Sequence, residues 1–101
     1  MWPRGPAARR IAGELMRCGP SIGANAEEAQ DGQTKPDFIA KLAISRKEAR
    51  ETRYWLKLAI RTGTLSAAEA EPVIQEVTEL RRMIMAAIKT AQSNRSRAPA
   101  L

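Results

Sequence analysis

Apolar residues recur along the chain at alternating steps of three and four, the spacing of a helical face, over three separate stretches. In the first, Ile11, Leu15, Cys18, Ile22 and Ala29 form one stripe, with Asn25 filling the remaining position, and predict a helix over residues 7–30. Pro20 removes one backbone donor there, so a bend is expected. The stripe keeps its phase across Gly19-Pro20, as one bent helix would, and Asp31-Gly32 stops it. In the second stretch Phe38, Leu42, Ser45, Ala49, Thr52, Leu56 and Ile60 predict a helix over 36–62, with Pro36 and Asp37 suited to its first turn and Gly63 to its C-terminal cap. A further apolar strip, Ala40, Ile44, Trp55 and Leu58, lies well round the same helix, the mark of a helix packed on two sides. The third stretch opens on Ser66-Ala67-Ala68-Glu69, a capping-box pattern. Pro72 follows so soon that an isolated turn is expected, then a helix over 71–92 with Val73, Val77, Leu80, Ile84, Ala87, Ile88 and Ala91 facing the core. No stretch combines strand alternation with turn residues, so the fold class is all-α, an antiparallel up-down helical bundle. Residues 1–6 and 93–101, rich in proline or polar groups, are expected to be a disordered start and a disordered basic tail around a single domain over 7–92.

Composition narrows the chemistry. The 101 residues include no histidine and one cysteine, which removes the commonest general base and metal ligand and any internal disulfide. A reducing, cytoplasmic setting is expected from that cysteine usage, and Cys18 reads as a small buried hydrophobe. No secretory leader and no membrane-length apolar run is visible. With no phosphate-cradling glycine loop either, the expectation is a protein that is not an enzyme, with no cofactor, no metal and no small-molecule substrate.

The net charge of +6 changes the picture because it is concentrated. Residues 35–62 carry Lys35, Lys41, Arg46, Lys47, Arg50, Arg53, Lys57 and Arg61 against Asp37, Glu48 and Glu51, so almost all of the excess rests on the second helix. Arg46, Arg50, Arg53, Lys57 and Arg61 share a face about 80° wide at roughly 100° per residue. Like charges one turn apart repel by about 0.2–0.5 kcal/mol per exposed pair, which a face built only for solubility would avoid by mixing signs. These five are the candidate contacts to RNA or DNA phosphate. The competing reading is a solvated face, partly ion-paired with acids such as Glu76 or Glu79.

Polar residues on and beside the first two core stripes form a second group. Ser21, Asn25, Glu28, Ser45, Glu48 and Thr52 are expected to make a structural hydrogen-bond network between the helices, helped by carbonyls freed near Pro20, since a buried unpaired polar group costs about 1–3 kcal/mol. Glu28, Glu48 and Glu51 could instead offer hard oxygen ligands to a Mg²⁺-like ion, but the set is thin for a metal site.

The motifs Pro20-Ser21-Ile22-Gly23-Ala24-Asn25-Ala26-Glu27-Glu28-Ala29, Asp37-Phe38-Ile39-Ala40-Lys41-Leu42 and Lys47-Glu48-Ala49-Arg50-Glu51-Thr52-Arg53-Tyr54-Trp55-Leu56, with Glu79-Leu80 further on, together resemble the bacterial four-helix-bundle proteins first noticed as reading frames in intervening sequences of large-subunit ribosomal RNA genes. The resemblance extends over about Ile11 to Thr90. It implies three helices of a four-helix-bundle plan, rings that are commonly pentamers, and no established catalytic activity. A similar basic ring-forming bundle assists reverse transcriptases of diversity-generating retroelements and contacts nucleic acid. Family members carry a further, full amphipathic helix ahead of the helix that holds the Ser21-to-Ala29 motif. Here Met1-Trp2-Pro3 lies only a few residues before Ile11, so that helix is expected to be absent, through a late start, gene decay or supply of the missing face by a partner chain. Ile44, Trp55 and Leu58 are then the candidate contacts of a homo-oligomer. The functional expectation is a small oligomeric bundle of unestablished role that binds RNA or DNA without sequence specificity. The alternative is a scaffold for protein interaction with no nucleic acid.

Overall fold

The computed structural model describes residues 5–31 and 34–95. Its regular structure is three α-helices: α1 (Pro6–Gln30), α2 (Lys35–Arg61) and α3 (Ala67–Arg95). Of the expected start and tail, residues 1–4 and 96–101 lie outside the described residues; Pro6 already begins α1, and α3 continues through 93–95.

Each boundary has a local cause. At the start of α2 the Thr34 hydroxyl accepts a hydrogen bond from the Asp37 amide at 3.2 Å, with Pro36 and Asp37 in the first turn. At its end Gly63 adopts φ 74°. The Thr64 amide donates to the Ala59 carbonyl at 2.8 Å and the Gly63 amide to Ile60 at 3.1 Å. This paired arrangement is a Schellman cap, which needs the left-handed backbone glycine supplies at no steric cost. Pro20 lies inside an unbroken α1, as the continuous stripe requires. Around α3 the expectation is corrected: the turn before Pro72 and the helix after it are one helix. The Ser66 hydroxyl accepts from the Glu69 amide at 3.1 Å and the Glu69 carboxylate from the Ser66 amide at 2.9 Å. That reciprocal cap fixes the first turn before Pro72 is reached. The proline forfeits only a bond to Ala68, an exposed residue whose carbonyl water can serve.

The packing is lopsided. Helix α2 has an interface with α1 and another with α3, and the outer helices have no comparable interface with each other. The body measures 58 × 20 × 15 Å and its radius of gyration is 16.4 Å, against about 13 Å for a compact chain of this length. The core joins Ile22 and Ala29 of α1, Leu42, Ala49 and Leu56 of α2, and Val77, Ile84 and Ile88 of α3. Two positions expected in that core are not there: Val73 and Leu80 are 41% and 44% exposed. Val77, Ile84, Ile88 and Ala91 are buried, whereas Val73 and Leu80 border an open groove toward α1. Periodicity located the apolar surface of α3 but could not divide it between a covered and an open half.

Candidate nucleic-acid interface

Two charge systems occupy opposite flanks of α2. On the α1 side its carboxylates are neutralised. Arg17 of α1 places Nη2 2.6 Å from Glu51 and Nη1 3.4 Å from Glu48, and its Nε meets Glu14 of its own helix at 3.0 Å. The Arg17 guanidinium is pushed further up by these partners, Glu51 first, and in return its hydrogen bond holds the Glu14 carboxyl below the usual carboxylate range. Lys41 pairs with Glu28 at 3.0 Å. The three glutamates weighed as metal ligands are thus divided between two cations, and no group of three metal-ligating side chains occurs among the described residues.

The other flank has no such compensation. Among the described residues, Arg46, Arg50, Arg53, Lys57 and Arg61 make no ion pair, and neither does Lys47. The acids considered as their partners are elsewhere: Glu79 pairs with Arg82 at 3.4 Å, and Glu76 lines a groove. Arg50, Lys57 and Arg61 are exposed, while Arg46 and Arg53 are half-buried. Arg81 of α3 comes up beside Arg46, Lys47 and Arg50 to line a hollow of about 260 Å³. The Nε–H groups of Arg53 and Arg81 are buried without an acceptor, an arrangement that costs about 1–3 kcal/mol per donor until an acceptor arrives. Tyr54, 59% exposed, lies one turn from Arg50 and Lys57 and stacks edge-on against Trp55 with ring centroids 5.2 Å apart. Sequence spacing found the five residues of the stripe but missed Arg81, because only the packing of α3 on α2 brings it there.

The polar group between α1 and α2 resolves into separate contacts. The Ser45 hydroxyl donates to the Ile22 carbonyl at 2.6 Å, and the Thr52 hydroxyl reaches the buried Cys18 sulfur at 3.2 Å and the Glu48 carbonyl at 2.8 Å. Ser21 and Asn25 bond back within their own helix, to Arg17 and Ser21 carbonyls. The carbonyl that Pro20 frees belongs to Met16, which none of these hydroxyls uses. Of the expected oligomer contacts, Ile44 is 41% exposed and Trp55 and Leu58 are half-buried.

These features define a basic, all-α protein whose three helices form an incomplete bundle, with no helix among the described residues long and apolar enough to cross a membrane. The chain belongs to the 23S rRNA-intervening sequence protein family, whose model matches residues 4–86. A solved structure of a protein of unknown function from the S23 ribosomal protein family of Bacteroides thetaiotaomicron superposes with a TM-score of 0.77 at 42% identity, covering 78% of this chain and 73% of that one. No curated protein matches the chain.

Proposed function

We propose that this is a non-enzymatic protein that binds the phosphate backbone of RNA or DNA, without reading sequence, through Arg46, Arg50, Arg53, Lys57 and Arg61 of α2. The observation that carries the reading is the asymmetry of α2. Its central carboxylates are taken up by Arg17, while the five cations on the opposite flank have no acidic partner among the described residues. Repulsion along such a stripe is relieved when phosphates replace the missing counter-charges and condensed ions are released. Arg81 widens the stripe onto α3. Tyr54 offers an aromatic face on which an unpaired base could stack, which favours single strands over duplex.

The test is an electrophoretic mobility shift with single- and double-stranded RNA and DNA over rising salt. Binding should weaken linearly on a log–log plot, with a slope near −0.9 per phosphate contact on duplex DNA. Arg50→Glu with Lys57→Glu, both at exposed positions, should abolish the shift at unchanged helicity. No salt-sensitive shift at low ionic strength would overturn the proposal and leave the scaffold reading in its place.

A further inference from the structure

The basic flank of α2 is not uniform along its length. At one end, Arg46, Lys47 and Arg50 of α2 and Arg81 of α3 close round the hollow of about 260 Å³, with Ala43 as its apolar lining. No acid lines it, and none of these four cations makes an ion pair among the described residues. The nearest acids in sequence are committed elsewhere: Glu48 and Glu51 to Arg17, and Glu79 to Arg82. Past the hollow, Arg53, Lys57 and Arg61 continue the face as a single row. In the other direction the two preceding turns of that face carry Ala43 and Ile39, so the row stops at the hollow.

Concavity and charge together select the anion. An internal phosphodiester has one negative charge and two ester bonds that carry the strand away on both sides. It suits an open row of cations touched in passing. A terminal phosphate monoester has about −1.5 to −2 charge at pH 7 and three free oxygens. Its one ester bond can point out of the hollow while the oxygens point in. Three guanidinium forks and one ammonium, supplied from two helices, can meet those oxygens from several sides, the arginines through paired hydrogen bonds. A carboxylate brings less charge and fewer oxygens to the same set.

We propose that the hollow is a receptor for the terminal phosphate monoester of a nucleic-acid strand, whose following phosphates run out along Arg53, Lys57 and Arg61. The inference rests on the nucleic-acid reading of α2 and adds to it a preference for phosphorylated strand ends. Continuity assigns the hollow to a strand rather than to a free phosphorylated small molecule, because Arg46 and Arg50 belong both to the hollow and to the row. From Arg50 to Arg61 the helix rises roughly 16 Å at about 1.5 Å per residue, which leaves room for the next phosphates of the strand.

Fluorescence anisotropy with one short, internally labelled single strand tests this, the strand carrying a 5′-phosphate, a 3′-phosphate or hydroxyls at both ends. At one fixed ionic strength a phosphorylated strand should bind about tenfold or more tightly than the unphosphorylated one. Arg81→Gln and, separately, Lys47→Gln at an exposed position should bring that ratio close to one. Arg61→Gln, at the far end of the row, should weaken all strands alike and keep the ratio. Free nucleoside monophosphate should displace the phosphorylated strand only at far higher concentration than the unlabelled phosphorylated strand does. Equal affinity for phosphorylated and unphosphorylated strands would overturn the inference and leave the nucleic-acid reading standing, whereas binding of no strand would overturn both. A ratio that survives both Arg81→Gln and Lys47→Gln at unchanged helicity would place the preference elsewhere, and a nucleoside monophosphate as potent as the strand would assign the hollow to small molecules. Either result overturns the proposal.

Discussion

Arg17 and Glu51 face each other across the α1–α2 interface at 2.6 Å, and the same guanidinium is the sole counter-charge within salt-bridge distance of Glu48 among the described residues. Glu48 is the more consequential partner because its side chain is only 11% exposed. A carboxylate that far from water without a cation is expensive. Arg17→Met should therefore lower the urea denaturation midpoint. Adding Glu48→Gln, which removes the stranded charge, should recover part of that loss, and a double-mutant cycle would register the coupling.

The two buried hydroxyls of α2 should respond differently to removal. Ser45→Ala deletes a 2.6 Å bond that ties α2 to the Ile22 carbonyl and should cost about 1 kcal/mol. Thr52→Val keeps the shape and strands only a thiol and a carbonyl that already serves the helix, so the change should stay within about 0.5 kcal/mol. Denaturation midpoints of the two variants, read side by side, decide the matter.

Gly63→Ala should destabilise by about 1 kcal/mol, because the Schellman cap holds this residue at φ 74° where a Cβ is strained. Nothing packs within 4 Å of the added methyl, so the loss is conformational. The denaturation midpoint should fall with an unchanged m-value.

Acid should loosen the chain through Glu69 and Glu14. The Ser66 amide and hydroxyl hold Glu69, and Arg17 holds Glu14, below the ordinary carboxyl value of 4.5. A carboxyl depressed in the folded state contributes stability that is complete above its unfolded value and lost as pH falls through the lower folded one. Thermal midpoints should thus decline as pH passes below about 4.5 and on through those lowered values. Glu69→Gln should flatten part of the decline, and Ser66→Ala should cost about 0.5–2 kcal/mol at neutral pH as a lost cap.

The three helices and most of the buried positions were legible because burial against one neighbour leaves a single periodic stripe. Ile11, Cys18, Ile22 and Ala29 on α1, and Leu42, Ser45, Ala49, Thr52 and Leu56 on α2, are all buried as their spacing requires. The basic stripe was legible for the same reason, since its residues share one helix. Contacts between helices were not. Arg17 was invisible as the cation serving Glu48 and Glu51, and Arg81 as a neighbour of Arg46, because 31 residues or more separate groups that packing brings together. Val73 and Leu80 misled for a complementary reason: an apolar residue facing an open groove has the same sequence signature as one facing a core.

That α1 and α3 each find their main interface on α2 makes the middle helix the principal route by which either outer helix senses the other among the described residues. In native-state hydrogen exchange this architecture implies an ordered hierarchy. The amides of α2 should be the last to exchange, and α1 and α3 should open as two separate units with their own free energies. A ligand held on the far flank of α2 would then slow exchange in both outer helices without touching α1 at all.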